Sequence, residues 1–259
     1  MKLALCIGIN DYPGTENDLA GCRNDADDWS AALLARGFDT SRLLDGEATG
    51  TAIREGIRAL LTRAASGDTV VITYSGHGTW VPDTNGDEPD HRDEALCPYD
   101  IAENGPLLDD DLHDLFAGAA QDVRTILISD SCHSGTLTRL NHPIGDHPGR
   151  ARFLAPSTFL PAPQRLRAAL TPRTPRAPRS TALLLSGCRD DEYSYDATFD
   201  GRPNGAFTYV ALTALASLPD NATYRDWLHA IRDRLPSQDY PQTPALQATR
   251  TQQSWPILT

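Results

Sequence analysis

Short apolar runs alternating with helix-periodic stretches constrain this chain more than any other feature of its sequence. Leu3–Ile9, Ser41–Leu44, Thr69–Tyr74, Val123–Ile128 and Ala182–Ser186 are too short for buried helices and read as strands. Between them, Asn24–Arg36 repeats apolar residues at Ala26, Trp29, Ala32 and Leu33, and Thr51–Ala64 at Ile53, Ile57, Leu60 and Leu61. Asp110–Phe116, Ala206–Leu218 and Tyr224–Arg234 read as further helices. Buried strands joined by helices imply an α/β fold: a mostly parallel sheet with helices on both faces. In such sheets the chemistry gathers at the carboxyl ends of the strands.

Composition narrows the function. A net charge of −12 argues against a general nucleic-acid or membrane-surface binder, which would want positive charge. No apolar run is long enough to span a bilayer, and Met1–Asn10 lacks the features of a signal peptide, so a cytoplasmic protein is the expectation. Five cysteines without a CxxC pair argue against a zinc site of standard spacing and for free thiols.

The charge is unevenly spread. Asp83 to Asp114 holds twelve acidic residues against Arg92 alone. Arg139 to Arg179 holds eight arginines, one acid (Asp146) and eight of the nineteen prolines. Proline removes backbone donors and blocks helix interiors, so 139–180 reads as an extended, exposed linker between a larger front region, 1–138, and a smaller back region, 181–259.

Two strand ends carry the candidate chemistry. Thr69–Tyr74 runs into Ser75-Gly76-His77-Gly78, and Val123–Ile128 runs into Ser129-Asp130-Ser131-Cys132-His133-Ser134-Gly135. Glycines at a strand end let the backbone turn sharply and present the polar residue they frame. A histidine and a cysteine so placed on neighbouring strands suit a thiolate–imidazole pair, in which the imidazole takes the thiol proton. Singly, each residue also suits a plain core position. His133 is a rival base, but a side chain adjacent in sequence usually points elsewhere, which favours His77.

These pieces resemble the two signatures of metacaspases, caspase-like cysteine peptidases. The likeness extends to Ile7-Gly8-Ile9-Asn10, Tyr12-Pro13-Gly14, Leu19–Ala26, Ser186-Gly187-Cys188, Asn204–Thr208 and Tyr240–Pro244. His77 lies 55 residues upstream of Cys132, against about 50 in caspases. The resemblance implies a caspase-like α/β fold in which 1–138 and 181–259 are large- and small-subunit-like regions of one domain. It also implies a compact bacterial form with no prodomain, acting as a monomer.

The resemblance further implies a mechanism. Cys132 attacks the scissile carbonyl, His77 activates the thiol or protonates the leaving amine, and the N–H groups of Gly78 and Cys132 bind the oxyanion. The metacaspase preference for Arg or Lys places acidic pocket residues at Asp25 and Asp130, with Ser75 on the pocket wall; the partners are then proteins or peptides with a basic residue at the cleaved position. Without the family, Asp25 reads as a helix N-terminal charge and Asp130 as a turn residue. Calcium is the implied cofactor, held by Asp93, Asp109 and Asp110, although a further ligand position falls on Arg139. Asp83–Asp90 is oxygen-rich but is not an EF-hand. The arginine-rich linker reads as a solvated loop, as a site of self-cleavage after Arg173, Arg176 or Arg179, or as an inhibitor lying over the acidic cleft. Trp80 lines the cleft or packs. The contrasting expectation is a catalytically quiet caspase-like interaction module.

Overall fold

The computed structural model describes residues 1–13, 16–82, 92–132, 149–162, 164 and 181–259. Its centre is a six-stranded sheet of β1 (Lys2–Gly8), β2 (Asp39–Leu44), β3 (Thr69–Ser75), β7 (Arg124–Asp130), β9 (Leu183–Ser186) and β12 (Ala245–Gln247), in the order β12-β9-β7-β3-β1-β2. Every neighbouring pair is parallel except β12 with β9. Successive residues of a strand point to opposite faces, and the core divides accordingly. Leu3, Leu5, Ile7, Val70, Ile72 and Leu127 face one apolar cluster; Ala4, Cys6, Val71, Ile126 and Ile128 face the other.

Helices cover both clusters. The apolar stripes of α2 (Gly50–Arg63) and α4 (Asp109–Ala117) bury Ile53, Ile57, Leu60, Leu112, Leu115 and Phe116 on the first face. Three helices bury Trp29, Phe207 and Trp227 on the second: α1 (Cys22–Leu34), α6 (Ala206–Ser217) and α7 (Tyr224–Arg232). Among the described residues the other α-helices are single turns: α3 (Ile101–Asn104), α5 (Pro156–Phe159) and α8 (Arg250–Gln253). This is the caspase-like α/β arrangement expected from the sequence.

Two three-stranded sheets sit at the edge where the central strands end. One is β4 (Gly78–Pro82), β5 (Arg92–Leu96) and β6 (Leu107–Leu108); the other is β8 (Arg150–Ala151), β10 (Tyr195–Phe199) and β11 (Arg202–Gly205). β8 belongs to the proline- and arginine-rich stretch. That stretch was expected to be exposed, yet Arg152, Phe153 and Leu154 are buried. The reason is pairing: β8 runs antiparallel to β10, with Ala151 opposite Tyr195 and Arg150 opposite Asp196.

Candidate active site

The register of β3 against β7 sets Ser75 beside Asp130, so His77 and Cys132 each lie two residues past a paired position at the carboxyl edge of the sheet. The His77 loop is clamped by tyrosines. Its N–H donates to the Tyr12 hydroxyl at 2.8 Å, its ring packs 4.7 Å from the Tyr12 ring, and the Tyr74 hydroxyl lies 2.7 Å from its carbonyl. His77 Nε2 lies 2.5 Å from the Asn17 carbonyl. A carbonyl can only accept, so Nε2 carries the proton. Nδ1 is then the basic nitrogen, and it has no hydrogen-bond partner among the described residues. Burial pushes the imidazole pKa down to about 4, against the pull of the Asn17 carbonyl, so the ring is neutral at ordinary pH.

Cys132 follows β7 and is fully buried. Its Sγ accepts the Ser194 N–H at 2.7 Å and packs with Trp80, Phe153, Leu160 and Cys188. Trp80 therefore both packs and lines this region, with Arg92 stacked 3.8 Å over its ring. A hydrogen bond with Cys132 and burial push the Cys188 thiol pKa well up. A Cβ on Gly78 would fall 2.1 Å from the Cys132 carbonyl oxygen, so only glycine allows these two backbones to meet. The two N–H groups converge on one oxygen: Gly78 N lies 3.0 Å and Cys132 N 3.1 Å from the carbonyl of Arg152.

The Arg152 side chain enters a pocket of carboxylates. Nη2 lies 2.7 Å from Asp25 and 2.9 Å from Asp196, and Nη1 lies 3.2 Å from Asp130; all four side chains are nearly or fully buried. Asp25 and Asp130 thus meet at one guanidinium, and Asp196 is a third carboxylate that the sequence did not single out. Each is fixed from behind. Asp25 accepts from Asn204 Nδ2 and Gly205 N, and Asp196 accepts from Ala20 N and Gly21 N. Asp130 accepts from Thr208 N and Oγ1 and from Ser194 Oγ. A Cβ on Gly205 would sit 2.1 Å from Asp130 Oδ2 and 2.6 Å from Arg152 Nη1, so this glycine is a wall of the pocket. Ser75 is buried beside Asp130, with no hydrogen-bond partner for its Oγ among the described residues. Burial lifts the Asp25 carboxyl to about 6, against the pull of Arg152. Burial opposes the charge on Arg152 too, but the facing groups, Asp130 first, outweigh it and push its pKa up.

The expected calcium ligands lie apart from this pocket. Asp93 is on β5, and Asp109 and Asp110 open α4. The pairing of Ala95 with Leu108 sets these two chain segments side by side. Among the described residues, no group of three or more His, Cys, Asp or Glu side chains is placed to hold a metal ion. Asp83–Asp90, His133, Arg139, Arg173, Arg176 and Arg179 lie outside the described residues. No helix among the described residues is long and apolar enough to cross a membrane.

Comparison with known proteins identifies the family. The caspase domain model matches residues 1–254. Metacaspase-1 of Mycosarcoma maydis is 32% identical over 96% of this chain and 70% of its own length. Metacaspase-1 of Pyricularia oryzae is 33% identical over 99% of this chain and 74% of its own. Metacaspase-7 of Arabidopsis thaliana is 42% identical over 52% of this chain and 35% of its own. The crystal structure of protein GSU0716 from Geobacter sulfurreducens superposes with a TM-score of 0.77 at 31% identity, covering 100% of this chain and 98% of that one. The chain belongs to the caspase-domain family and is a relative of the metacaspases.

Proposed function

We propose that this chain is a cysteine endopeptidase that hydrolyses peptide bonds after arginine, and after lysine less well, with Cys132 and His77 as its dyad. One observation carries the reading. A single arginine has its guanidinium among Asp25, Asp130 and Asp196 while its own carbonyl accepts from Gly78 and Cys132. That is the pose a substrate arginine needs beside a nucleophilic thiol. A planar guanidinium meets several carboxylates at once, which an ammonium cannot do as well.

In this reading the neutral His77 takes the Cys132 proton at Nδ1 while Asn17 fixes the ring through Nε2. The thiolate attacks the carbonyl carbon. The N–H groups of Gly78 and Cys132 hold the oxygen as charge develops on it. His77 then gives its proton to the leaving amine, and water hydrolyses the thioester.

Calcium enters this reading as a modulator on the family likeness alone, since Asp93, Asp109 and Asp110 are not grouped among the described residues so as to hold a metal ion, and no step runs through them. A fluorogenic Arg-peptide assay of wild type and Cys132→Ala, with calcium and with chelator, tests both parts. Turnover that depends on Cys132 and falls in chelator is expected. Equal turnover in both media removes calcium. No Cys132-dependent turnover in either medium leaves the quiet interaction module instead.

A further inference from the structure

The proposed chemistry leaves two buried tyrosines, Tyr12 and Tyr74, without a part in it. A buried hydroxyl costs free energy unless it is hydrogen-bonded, and both of these meet the peptide groups around His77. The His77 N–H donates to Tyr12 Oη at 2.8 Å. Tyr74 Oη lies 2.7 Å from the His77 carbonyl and 2.8 Å from the Cys97 carbonyl, and the Cys97 N–H donates to the His77 carbonyl at 3.0 Å. Tyr12 Oη accepts from His77, so its own proton is available to the Cys97 carbonyl, 3.3 Å away. Both main-chain polar groups of His77 therefore touch a tyrosine hydroxyl. Tyr12 does more. Its ring lies 4.7 Å from the imidazole, and its N–H donates to Asp18 Oδ1 at 3.0 Å, beside the Asn17 whose carbonyl holds Nε2. The foot of this loop is closed by Leu19 N–H on the Asn10 carbonyl at 2.8 Å. Asn10 N–H is in turn held by Asp45 Oδ1 at 2.7 Å, just past β2.

We infer that Tyr12 is the positioning residue of the general base: its hydroxyl fixes the His77 main chain while its loop fixes the Asn17 carbonyl, so that the imidazole keeps Nδ1 as its basic nitrogen. The inference rests on the proposed peptidase activity and deepens it at the base of the same site. A neutral imidazole has two tautomers and two ring orientations, and only one combination leaves Nδ1 unprotonated with Nε2–H on Asn17. The tyrosine contacts act on backbone and ring at once, which removes the freedom to exchange them. Burial pushes both tyrosine hydroxyls well above their ordinary pKa. They therefore stay neutral, the brace keeps one charge state, and neither competes with His77 as a base. A misplacement of about 1 Å can cost on the order of 100-fold in rate, so a brace of this kind bears on turnover rather than on binding of the substrate arginine. Asp25, Asp130 and Asp196, which hold that arginine, make none of these contacts.

The test uses the full chain with isotope-labelled histidine, as wild type, Tyr12→Phe, Asp18→Ala and Asp18→Asn. It reads the imidazole nitrogen shifts near neutral pH, together with kcat and KM for an Arg peptide well below each variant's Tm. The His77 signals are those lost in His77→Gln. Wild type is expected to show a single tautomer, protonated at Nε2. Tyr12→Phe keeps the ring and removes only the hydroxyl. It is expected to mix the two tautomers and to lower kcat about 10- to 100-fold, with KM within about twofold of wild type. Asp18 is exposed, so its substitution spares the core. Asp18→Ala is expected to act in the same direction and more weakly, and Asp18→Asn, which keeps an oxygen for the Tyr12 N–H, to restore wild-type kcat. A single Nε2-protonated tautomer in Tyr12→Phe overturns the inference, and so does a kcat equal to that of wild type. Where Tyr12→Phe fails to fold, the two Asp18 variants decide by the same two readings. A wild type without Cys132-dependent turnover overturns the peptidase reading alone, and the tautomer then decides the role of Tyr12.

Discussion

Asp196→Asn keeps the size of the side chain but removes one negative charge from the pocket. One oxygen is left to serve the Ala20 and Gly21 N–H groups and Arg152. A charge-assisted hydrogen bond of this kind is worth about 1.5–3 kcal/mol, so kcat/KM for Arg peptides is expected to fall about 10- to 100-fold. Turnover should be compared with the purified variant's Tm to separate binding from folding. His77 gives a second readout at this scale. Its pKa falls from the ordinary 6.5 to about 4 on folding, so the unfolded chain binds the extra proton between those values. Stability from His77 is therefore full above 6.5 and is lost as pH falls towards 4, by about 3 kcal/mol. Asp25, lifted to about 6 from 3.8, works in the opposite direction over nearly the same window. The two contributions therefore largely offset each other in wild type. The difference between wild type and His77→Gln, followed by denaturant unfolding across this range, should isolate the histidine. His77, Cys132, Asp25 and Asp130 were legible because apolar strands and glycines frame the first two and the family motifs carry the rest. Asn17 was not, because it acts through a backbone carbonyl that any residue type could supply. Arg152 was not, because an arginine among prolines looks solvated until its three carboxylates arrive from elsewhere in the chain.

The central strands were readable as short continuous apolar runs because β1, β3 and β7 are buried on both faces, and the long helices because α2 and α4 bury one face with a period of 3.6. The two small sheets were not. β8 has two residues, too few for any period, and β5 carries Asp93 and Glu94 inside an acidic window that hides the strand. Yet these small sheets build the site, since β4 brings Gly78 and β10 brings Asp196. Gly78→Ala is expected to force β4 away from Cys132, given the 2.1 Å approach of the added Cβ to that carbonyl. Cys132-dependent turnover should be lost while far-ultraviolet circular dichroism keeps its native shape; full turnover would refute the close-approach argument. The cap of α7 offers a control far from the chemistry. Thr223 accepts from Asp226 N–H and Asp226 reaches back to Thr223 N–H. Thr223→Ala should cost about 1 kcal/mol, read as a lower Tm with unchanged turnover.

Both ends of the chain are tied to the same edge of the sheet. The Met1 amine meets Asp68, Lys2 Nζ lies 3.2 Å from the Leu258 carbonyl, and Thr69 Oγ1 lies 2.6 Å from the Thr259 carbonyl. β9 then lies between β7 and β12 in the central sheet. A cut introduced between β7 and β9 would therefore leave two pieces that still share one sheet and one core. They are expected to co-elute in size-exclusion chromatography and to separate only in denaturant; separation in native buffer would contradict this pairing. The order of the pocket's parts along the chain has one more consequence. Asp25, His77, Cys132 and Arg152 are all made before Asp196 and Gly205, which complete the walls around the guanidinium. On the proposed reading, a ribosome-bound chain carries its nucleophile long before it carries a working specificity pocket. Translation itself then acts as the safety catch, withholding proteolysis until the last quarter of the polypeptide has emerged.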